Sequence, residues 1–264
     1  MSTILSICNQ KGGVGKSTTA VNLSAYLALA GRRTLLIDLD SQGNATTACG
    51  IQRGSFQQHL YHVITNGIRI ESVIIKTGIE LLEIVPSAID LAGAEPYLTQ
   101  MEASREGVLK HILYSIRERY DFIVLDCPPA LGLLTVNAWV ASDSVLIPVQ
   151  CEYLALEGLT ALMRAIDLVK QRLNQELRVS GILMTMTDFR ANLSREVAEE
   201  LKGFFKELVF NTSIPRNIRL AEAPSFGKPI CLYDPNSTGA LAYRLVAQEV
   251  IEKEAAEKPA GVAS

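Results

Sequence analysis

Short runs of apolar residues recur along the chain, separated by segments with helical spacing. The runs predict strands at residues 4–8, 34–38, 81–85, 122–126, 144–149 and 179–185. Most of them are continuously apolar and do not alternate with polar residues, which is typical of strands that are covered on both faces. The pattern therefore predicts a buried sheet between two layers of helices.

Helical segments fill most of the intervals between the strands. Residues 16–30 place Ala20, Leu23 and Leu27 on one helical face. The other predicted helices span residues 55–66, 102–119, 155–173, 194–207 and 238–254. Residues 41–50 are rich in Gly, Ser, Asn and Thr and predict a loop.

Strands that alternate with helices predict an α/β fold, doubly wound, with a mainly parallel sheet and helices on both faces. No linker-like segment or internal repeat interrupts the chain, so we expect a single domain over residues 1–254 and a flexible tail over residues 255–264. Such sheets bind ligands at the carboxyl ends of their strands. The chemistry is therefore expected directly after Cys8, Asp38 and Asp126.

Composition narrows the functional classes. The chain has 264 residues, 25 Lys and Arg against 28 Asp and Glu, and a net charge of −3. This excludes a disordered chain and a protein that holds nucleic acid by bulk charge alone. The five cysteines contain no C-x-x-C spacing, which predicts reduced thiols in a cytosolic protein. The N-terminus lacks the pattern of a secretory signal, and no apolar run approaches 18 residues.

The segment after the first strand combines three glycines with two lysines, in the order Lys11, Gly12, Gly13, Val14, Gly15, Lys16, Ser17 and Thr18. Glycines let several backbone N–H groups point inward, and the following helix adds its dipole. In the P-loop pattern G-x-x-x-x-G-K-[ST], the lysine contacts the β- and γ-phosphates and the hydroxyl binds Mg²⁺. Lys16 and Ser17 occupy these positions, although Gln10 replaces the first glycine. The segment predicts a nucleotide phosphate site.

Two further strands end in carboxylates. Asp38 and Asp40 follow the second strand, and Asp126 is followed by Cys127 and two prolines in the form of a Walker B strand. In isolation, Asp38 and Asp40 could equally be turn residues. Beside a phosphate loop, we expect both of them to face a metal–phosphate centre. Asp126 is expected to hold Mg²⁺ directly or through water.

The form Lys-Gly-Gly-x-Gly-Lys-[ST] resembles the deviant Walker A box of the ParA/MinD class of P-loop ATPases. The residues around Asp40 resemble that class's Asp-x-Asp-Pro-Gln-Gly-Asn segment, with Ser41 in place of proline. The resemblance implies an ATPase that uses ATP and Mg²⁺ and yields ADP. It implies that Asp40 orients or activates the attacking water and that Lys11 reaches the partner's phosphates in a nucleotide-sandwich dimer. The implied catalytic residues are Asp40, Lys11 and Lys16, and the implied metal ligands are Ser17, Asp40 and Asp126.

Longer stretches resemble chromosomal ParA proteins of the Soj type: residues 126–137, 148–159 and 214–230, within a resemblance that covers residues 2–253. It implies a cytoplasmic, nucleoid-associated protein that segregates chromosomes with a ParB/Spo0J-type partner. It implies an ATP-dependent homodimer that binds double-stranded DNA without sequence preference and is released by partner-stimulated hydrolysis. It also implies that Pro215 and Asn217 flank the adenine. No helix-turn-helix precedes the first strand, so sequence-specific autorepression is not expected.

The DNA-binding surface is the weakest part of the sequence pattern. Residues 186–230 hold seven basic and six acidic residues, which is no basic patch by count. The resemblance assigns phosphate contacts to Arg190 and Arg219, with Arg195, Lys202 and Lys228 as further DNA-binding residues. A protomer with few phosphate contacts binds DNA weakly, on the order of 10⁻⁴–10⁻⁶ M at physiological salt. A dimer presents two such faces to one duplex and binds more strongly.

Two alternatives follow from the same class. A MinD-like positioning ATPase would bind membranes through a basic amphipathic C-terminal helix, but residues 250–258 carry little apolar bulk and an excess of acids. An electron-transfer ATPase would need a second cysteine placed with Cys127 for an iron–sulfur cluster, and the sequence has no such pattern. Neither membrane binding nor an iron–sulfur cluster is therefore expected.

Overall fold

The computed structural model describes residues 2–152 and 155–257. Within them, seven strands form one sheet with the order β3-β4-β2-β5-β1-β6-β7. The strands are β1 (Thr3–Ile7), β2 (Thr34–Asp38), β3 (Ile75–Lys76), β4 (Leu82–Val85), β5 (Phe122–Asp126), β6 (Ser144–Gln150) and β7 (Arg178–Thr185). All neighbouring pairs are parallel except β3 and β4. The predicted α/β fold with a mainly parallel sheet is confirmed, and the antiparallel edge strand β3 is an addition to it.

The helices lie on both faces of this sheet. They are α1 (Lys16–Leu29), α2 (Asn44–Ala48), α3 (Leu60–Asn66), α4 (Ala94–Gln100), α5 (Val108–Tyr114), α6 (Leu133–Ala141), α7 (Ala155–Arg172), α8 (Asn192–Phe205), α9 (Ile218–Glu222), α10 (Ile230–Tyr233) and α11 (Thr238–Glu257). Short 3₁₀ turns complete several of the connections. Helices α1 and α11 pack against each other on one face.

Alternate residues of each central strand belong to different halves of the core. On β2, Leu35 and Ile37 pack with the layer that includes α3 to α8, whereas Leu36 packs with the layer that includes α1 and α11. All three side chains are fully buried. Burying a leucine or isoleucine stabilises a fold by roughly 1.5–3 kcal/mol. This two-sided burial is why the strand sequences are continuously apolar.

Helix α2 lies inside residues 41–50, where the sequence predicts a loop. Gly43 has a φ of +61° and precedes the first turn. The buried carboxylate of Asp38 then accepts hydrogen bonds from the Thr46 amide at 2.8 Å and hydroxyl at 2.7 Å. This contact across eight positions supports a five-residue helix that local composition does not predict, and the loop prediction is wrong there.

Helix α6 was not predicted, because it lacks an amphipathic period. Seven of its nine residues are buried, among them Thr135, Asn137 and Trp139. A helix buried on nearly every side carries no polar stripe to mark it. The helix predicted at residues 102–119 is reduced to α5, since Ser104 has a φ of +59° and Gly107 precedes the first turn.

The last helix continues past the predicted boundary at residue 254. Helix α11 extends to Glu257, so residues 255–257 are helical where the sequence predicts a loose tail, and residues 258–264 lie outside the described part. Glu254 is buried and accepts hydrogen bonds from Ser144 at 2.9 Å and Ser180 at 3.0 Å, and it pairs with Arg178. These contacts hold the end of α11 against β6 and β7.

Replacing Glu254 with alanine should therefore destabilise the protein. The substitution leaves the Arg178 guanidinium, which is 27% exposed, without its carboxylate. Removing one partner of a buried pair costs about 3 kcal/mol or more. Urea unfolding should show this loss, while the exposed Glu252→Ala on the same helix should change the free energy of unfolding by less than about 0.5 kcal/mol. Equal stability of the two variants would contradict the role of Glu254.

Candidate functional site

The loop after β1 is shaped to bind an anion. Gly13 and Gly15 have φ values of +77° and +85°, a left-handed conformation that glycine adopts without steric cost. Among the described residues, no side chain caps α1 and its first turn carries no acid. The N–H groups and dipole of this 14-residue helix can therefore act on a phosphate. Thr185 Oγ1 donates to the Val14 carbonyl at 2.9 Å and ties the loop to β7.

Lys16 is the buried cation of this loop. It is 7% exposed, and its Nζ donates to the Lys11 carbonyl at 2.9 Å. Burial lowers the pKa of the Lys16 ammonium, and the charges of Asp126 and Asp40 oppose that shift. Lys16 therefore lies close enough to both carboxylates for their charges to act on it, at a position where it can neutralise phosphate charge.

The two aspartates after β2 differ in environment. Asp38 accepts hydrogen bonds from Thr46 through one oxygen and from the Asp40 amide, at 3.1 Å, through the other. Burial raises the pKa of Asp38 to about 6. Asp40 is half-buried and accepts from the Gln42 amide at 2.9 Å. The prediction that both carboxylates face the reaction centre is wrong for Asp38, because its own loop satisfies both of its oxygens.

Asp126 ends β5 directly beside Asp38, its register partner on β2. It is fully buried, and in the described part of the chain neither carboxylate oxygen has a hydrogen-bond partner. Burial raises the pKa of Asp126 well above its usual range, the charge of Asp38 adds to the shift, and the nearby Ser17 hydroxyl opposes it without meeting hydrogen-bond geometry. A buried, unpartnered carboxylate is unfavourable unless a cation compensates it. Asp126 therefore fits the Mg²⁺ ligand that the sequence predicts, since Mg²⁺ takes one or two carboxylates and completes its shell with phosphate oxygens and water.

A cavity of about 460 Å³ lies at the phosphate loop, and Lys16 and Asp40 line it whereas the buried Asp38 and Asp126 do not. The predicted residues that line it are Gly12, Gly13, Gly15, Lys16, Ser17, Thr18 and Asp40. Lys11 and Val14 are not among the described residues that line this cavity. Val14 is buried and contributes its backbone to the loop.

Sequence reasoning missed part of this lining: Gln42, Asn44, Thr47, Pro129 and Met186. Asn44 and Thr47 lie on the unpredicted helix α2. Pro129 belongs to the proline pair after Asp126, which the sequence does mark. Met186 has a φ of +50°, an uncommon conformation for a side chain of this size. No signal in the sequence could have identified it.

A smaller cavity of about 190 Å³ adjoins the first and shares Gly15, Thr18 and Met186 with it. Pro215 and Asn217 line it, so the structure places both predicted adenine residues next to the phosphate loop. The Asn217 side chain accepts from the Arg219 amide at 2.8 Å and donates to Thr238 at 2.8 Å. Its carboxamide thus caps α9, while Asn217 and Pro215 both remain part of the cavity wall.

The predicted DNA-binding arginines are paired with acids. Arg190 donates to Asp188 at 2.8 Å, and Arg219 lies 3.0 Å from Glu222 and 3.5 Å from Asp234. The hydrogen bonds from the Arg190 side chain and amide lower the pKa of the Asp188 carboxylate to about 2. Exposed pairs of this kind are weak enough for DNA phosphates to compete with them.

The other predicted DNA-binding residues lie apart from this pair. Arg195 and Lys202 are on α8, where Arg195 donates to Asn192 at 2.8 Å. Lys228 lines the 460 Å³ cavity. Arg216 was not predicted: it is exposed, lines a groove of about 770 Å³ with Arg190, and has no carboxylate within 4 Å among the described residues.

Known proteins resemble the chain over nearly its full length. The AAA domain family matches residues 2–179. The sporulation initiation inhibitor protein Soj of Bacillus subtilis is 52% identical over 95% of this chain and 98% of its own length. The chromosome partitioning protein ParA of Myxococcus xanthus is 50% identical over 97% of this chain and 90% of its own length.

A solved structure shares the fold and carries the ligands that the site predicts. The cobyrinic acid a,c-diamide synthase of Mycobacterium smegmatis, with bound ADP and magnesium, superposes with a TM-score of 0.85. It is 34% identical, and the match covers 98% of this chain and 97% of that protein. Within residues 2–152 and 155–257, no helix is both long and apolar enough to cross a bilayer.

Proposed function

The chain belongs to the Soj/ParA family of chromosome-partitioning ATPases, which use ATP and Mg²⁺, and from that premise we propose how its nucleotide cycle controls DNA. In this proposal, ATP joins two copies into a sandwich dimer. The dimer binds double-stranded DNA without sequence preference, and a ParB-type partner stimulates the hydrolysis that releases it. The cycle would place the protein on the nucleoid in the cytoplasm.

The ATPase part of the proposal assigns a task to each group in the cavity. The phosphate loop and Lys16 bind the phosphates, and Pro215 encloses the adenine in the adjoining cavity. With Oδ1 held by the Gln42 amide, Asp40 can orient the attacking water through Oδ2. Ser17, Asp40 and Asp126 would hold Mg²⁺, which would supply positive charge beside the phosphate oxygens.

One observation carries the proposal more than any other: Lys11, the lysine that distinguishes this phosphate loop, points away from the loop's own cavity. Its Nζ lies 2.7 Å from Glu152 and its side chain is 52% exposed. An exposed cation beside a phosphate site is suited to reach the nucleotide of a second protomer. Sedimentation of the protein with ATP, ADP and no nucleotide tests this, because we expect a dimer with ATP alone.

The apolar side of α11 argues against membrane attachment. Tyr243, Val246 and Val250 are buried in the core beside α1. A membrane-binding helix needs a broad apolar face at the surface, and the large apolar side chains that α11 exposes are Leu241 and Leu245. We therefore propose DNA, and not a lipid surface, as the platform on which the dimer acts.

The arginines offer a graded test of DNA binding. Arg219→Ala and Arg216→Ala should each weaken the ATP-bound dimer on duplex DNA and reduce the magnitude of the salt slope by about two, because one phosphate contact is lost per protomer. Both variants should still dimerise with ATP. Filter binding at several salt concentrations measures the slope, with the solvent-exposed Arg172→Ala on α7 as the matched control. An unchanged slope for both variants would move the DNA-binding surface elsewhere.

A further inference from the structure

The Lys11 side chain is held at the carboxyl end of β6. Its Nζ donates to Glu152 Oε2 at 2.7 Å, and Glu152 follows β6 by two residues. The Lys11 amide donates to Asn9 Oδ1 at 3.0 Å, and Asn9 Nδ2 donates to the Pro148 carbonyl at 2.8 Å. Backbone and side chain of Lys11 are thus both directed toward the end of one strand.

The Glu152 carboxylate has no other partner among the described residues. Its backbone carbonyl accepts from the Ala155 amide at 3.1 Å and its amide donates to Gln150 at 2.8 Å. Both of these contacts survive a change of side chain. The carboxylate can therefore be replaced without removing these two backbone hydrogen bonds.

We propose that Glu152 is a positioning residue that holds Lys11 within the single protomer, and that dimer formation exchanges this carboxylate for a phosphate of the partner's nucleotide. The inference rests on the proposed function, in which Lys11 crosses to the second protomer. Glu152 then sets a threshold: Lys11 leaves its own protomer only when a more highly charged anion is presented. ADP, with one phosphate fewer, competes less well for the same lysine.

The size of the effect follows from the exposure of the pair. The Lys11 and Glu152 side chains are 52% and 44% exposed. An exposed pair changes an equilibrium constant by up to about fivefold. Because each dimer releases two such pairs, Glu152→Gln should raise the dimer association constant at saturating ATP by about two- to thirtyfold. The difference from wild type should narrow at high salt, which screens exposed charges.

A double-mutant cycle on the full chain tests the inference. Dimer association at saturating ATP is measured by sedimentation for wild type, Glu152→Gln, Lys11→Ala and the double variant. Glu157→Gln removes one exposed carboxylate from α7, five positions after Glu152, and is the matched control. We expect Glu152→Gln to dimerise more tightly than wild type and than Glu157→Gln, and we expect the double variant to stay monomeric with ATP, as Lys11→Ala does.

Every other outcome of this experiment overturns either the inference alone or the proposed function with it. Unchanged or weaker dimerisation of Glu152→Gln overturns the inference, as does a gain that persists in the Lys11→Ala background, since that gain would come from general charge repulsion. A wild-type protein that stays monomeric with ATP overturns the proposed function and the inference together. If wild type dimerises with ATP and Glu152→Gln dimerises no more tightly than wild type, the inference alone is overturned.

Discussion

Replacing Asp40 with asparagine should lower the rate of ATP hydrolysis by about 10²–10⁴, the range that a positioned general base contributes. The variant should still bind ATP and accumulate as the dimer, because the phosphate loop and Lys11 are unaltered. Asparagine can keep the acceptor for the Gln42 amide, so the loop after β2 should retain its geometry. The substitution removes the carboxylate's charge with little change of shape.

The neighbouring aspartate supplies the contrast for this prediction. Asp38 is fully buried and bonded to Thr46, so Asp38→Asn should mainly lower stability. Single-turnover hydrolysis, measured alongside urea unfolding, separates the two effects. Wild-type turnover by a folded Asp40→Asn would show that this residue does not orient the water.

Replacing Lys16 with alanine should lower the affinity of the protomer for ATP by about 10- to 100-fold, the worth of a hydrogen bond to a charged group. Lys16 is buried on the cavity wall and is influenced by both Asp40 and Asp126. Arginine should not restore the affinity, since a guanidinium is a poor substitute for a compact ammonium in a confined site. Calorimetric titration with ATP measures the loss.

Lys11→Ala is the internal control for that experiment. Lys11 lies five residues earlier, is half-exposed and pairs with Glu152, outside the described lining of the cavity. Its removal should leave the protomer's ATP affinity within about twofold of wild type and abolish ATP-driven dimerisation. Equal losses of ATP affinity in Lys11→Ala and Lys16→Ala would contradict the separate roles of the two lysines.

Much of the fold could be predicted because its sheet is covered on both faces. Continuous apolar runs marked β1, β2 and β5, and the carboxyl ends of these parallel strands meet at one edge. That edge explains why Lys16 and Asp126, more than 100 positions apart, act on each other. Local sequence determines these elements almost completely.

The rest of the site depends on contacts between distant residues. Helix α2 forms where Thr46 meets the buried Asp38, and Met186 reaches the phosphate loop from the end of β7. Lys228 resembles a DNA contact in the linear sequence, but the folded chain brings it to the nucleotide cavity. No spacing rule encodes such placements, because each results from packing between separate elements.

The distribution of charge over residues 186–230 also depends on contacts that form only in the folded chain. Counting acids and bases in residues 186–230 predicts a neutral surface, whereas the structure shows which charges cancel. Arg190 and Arg219 are paired with acids, and Arg216 has no carboxylate within 4 Å among the described residues. In the proposed cycle, a surface with so few unpaired cations is suited to a switch, because DNA binding by one copy stays weak and a dimer presents the same surface twice.

Retention on non-specific duplex DNA, compared across nucleotide states, tests the central claim most directly. We expect wild type to be retained with ATP, to be lost when ADP replaces ATP, and to be retained far longer as Asp40→Asn with ATP. Lys11→Ala should not be retained with either nucleotide. Equal retention of wild type with ATP and ADP would contradict an ATP-dependent dimer that carries DNA binding.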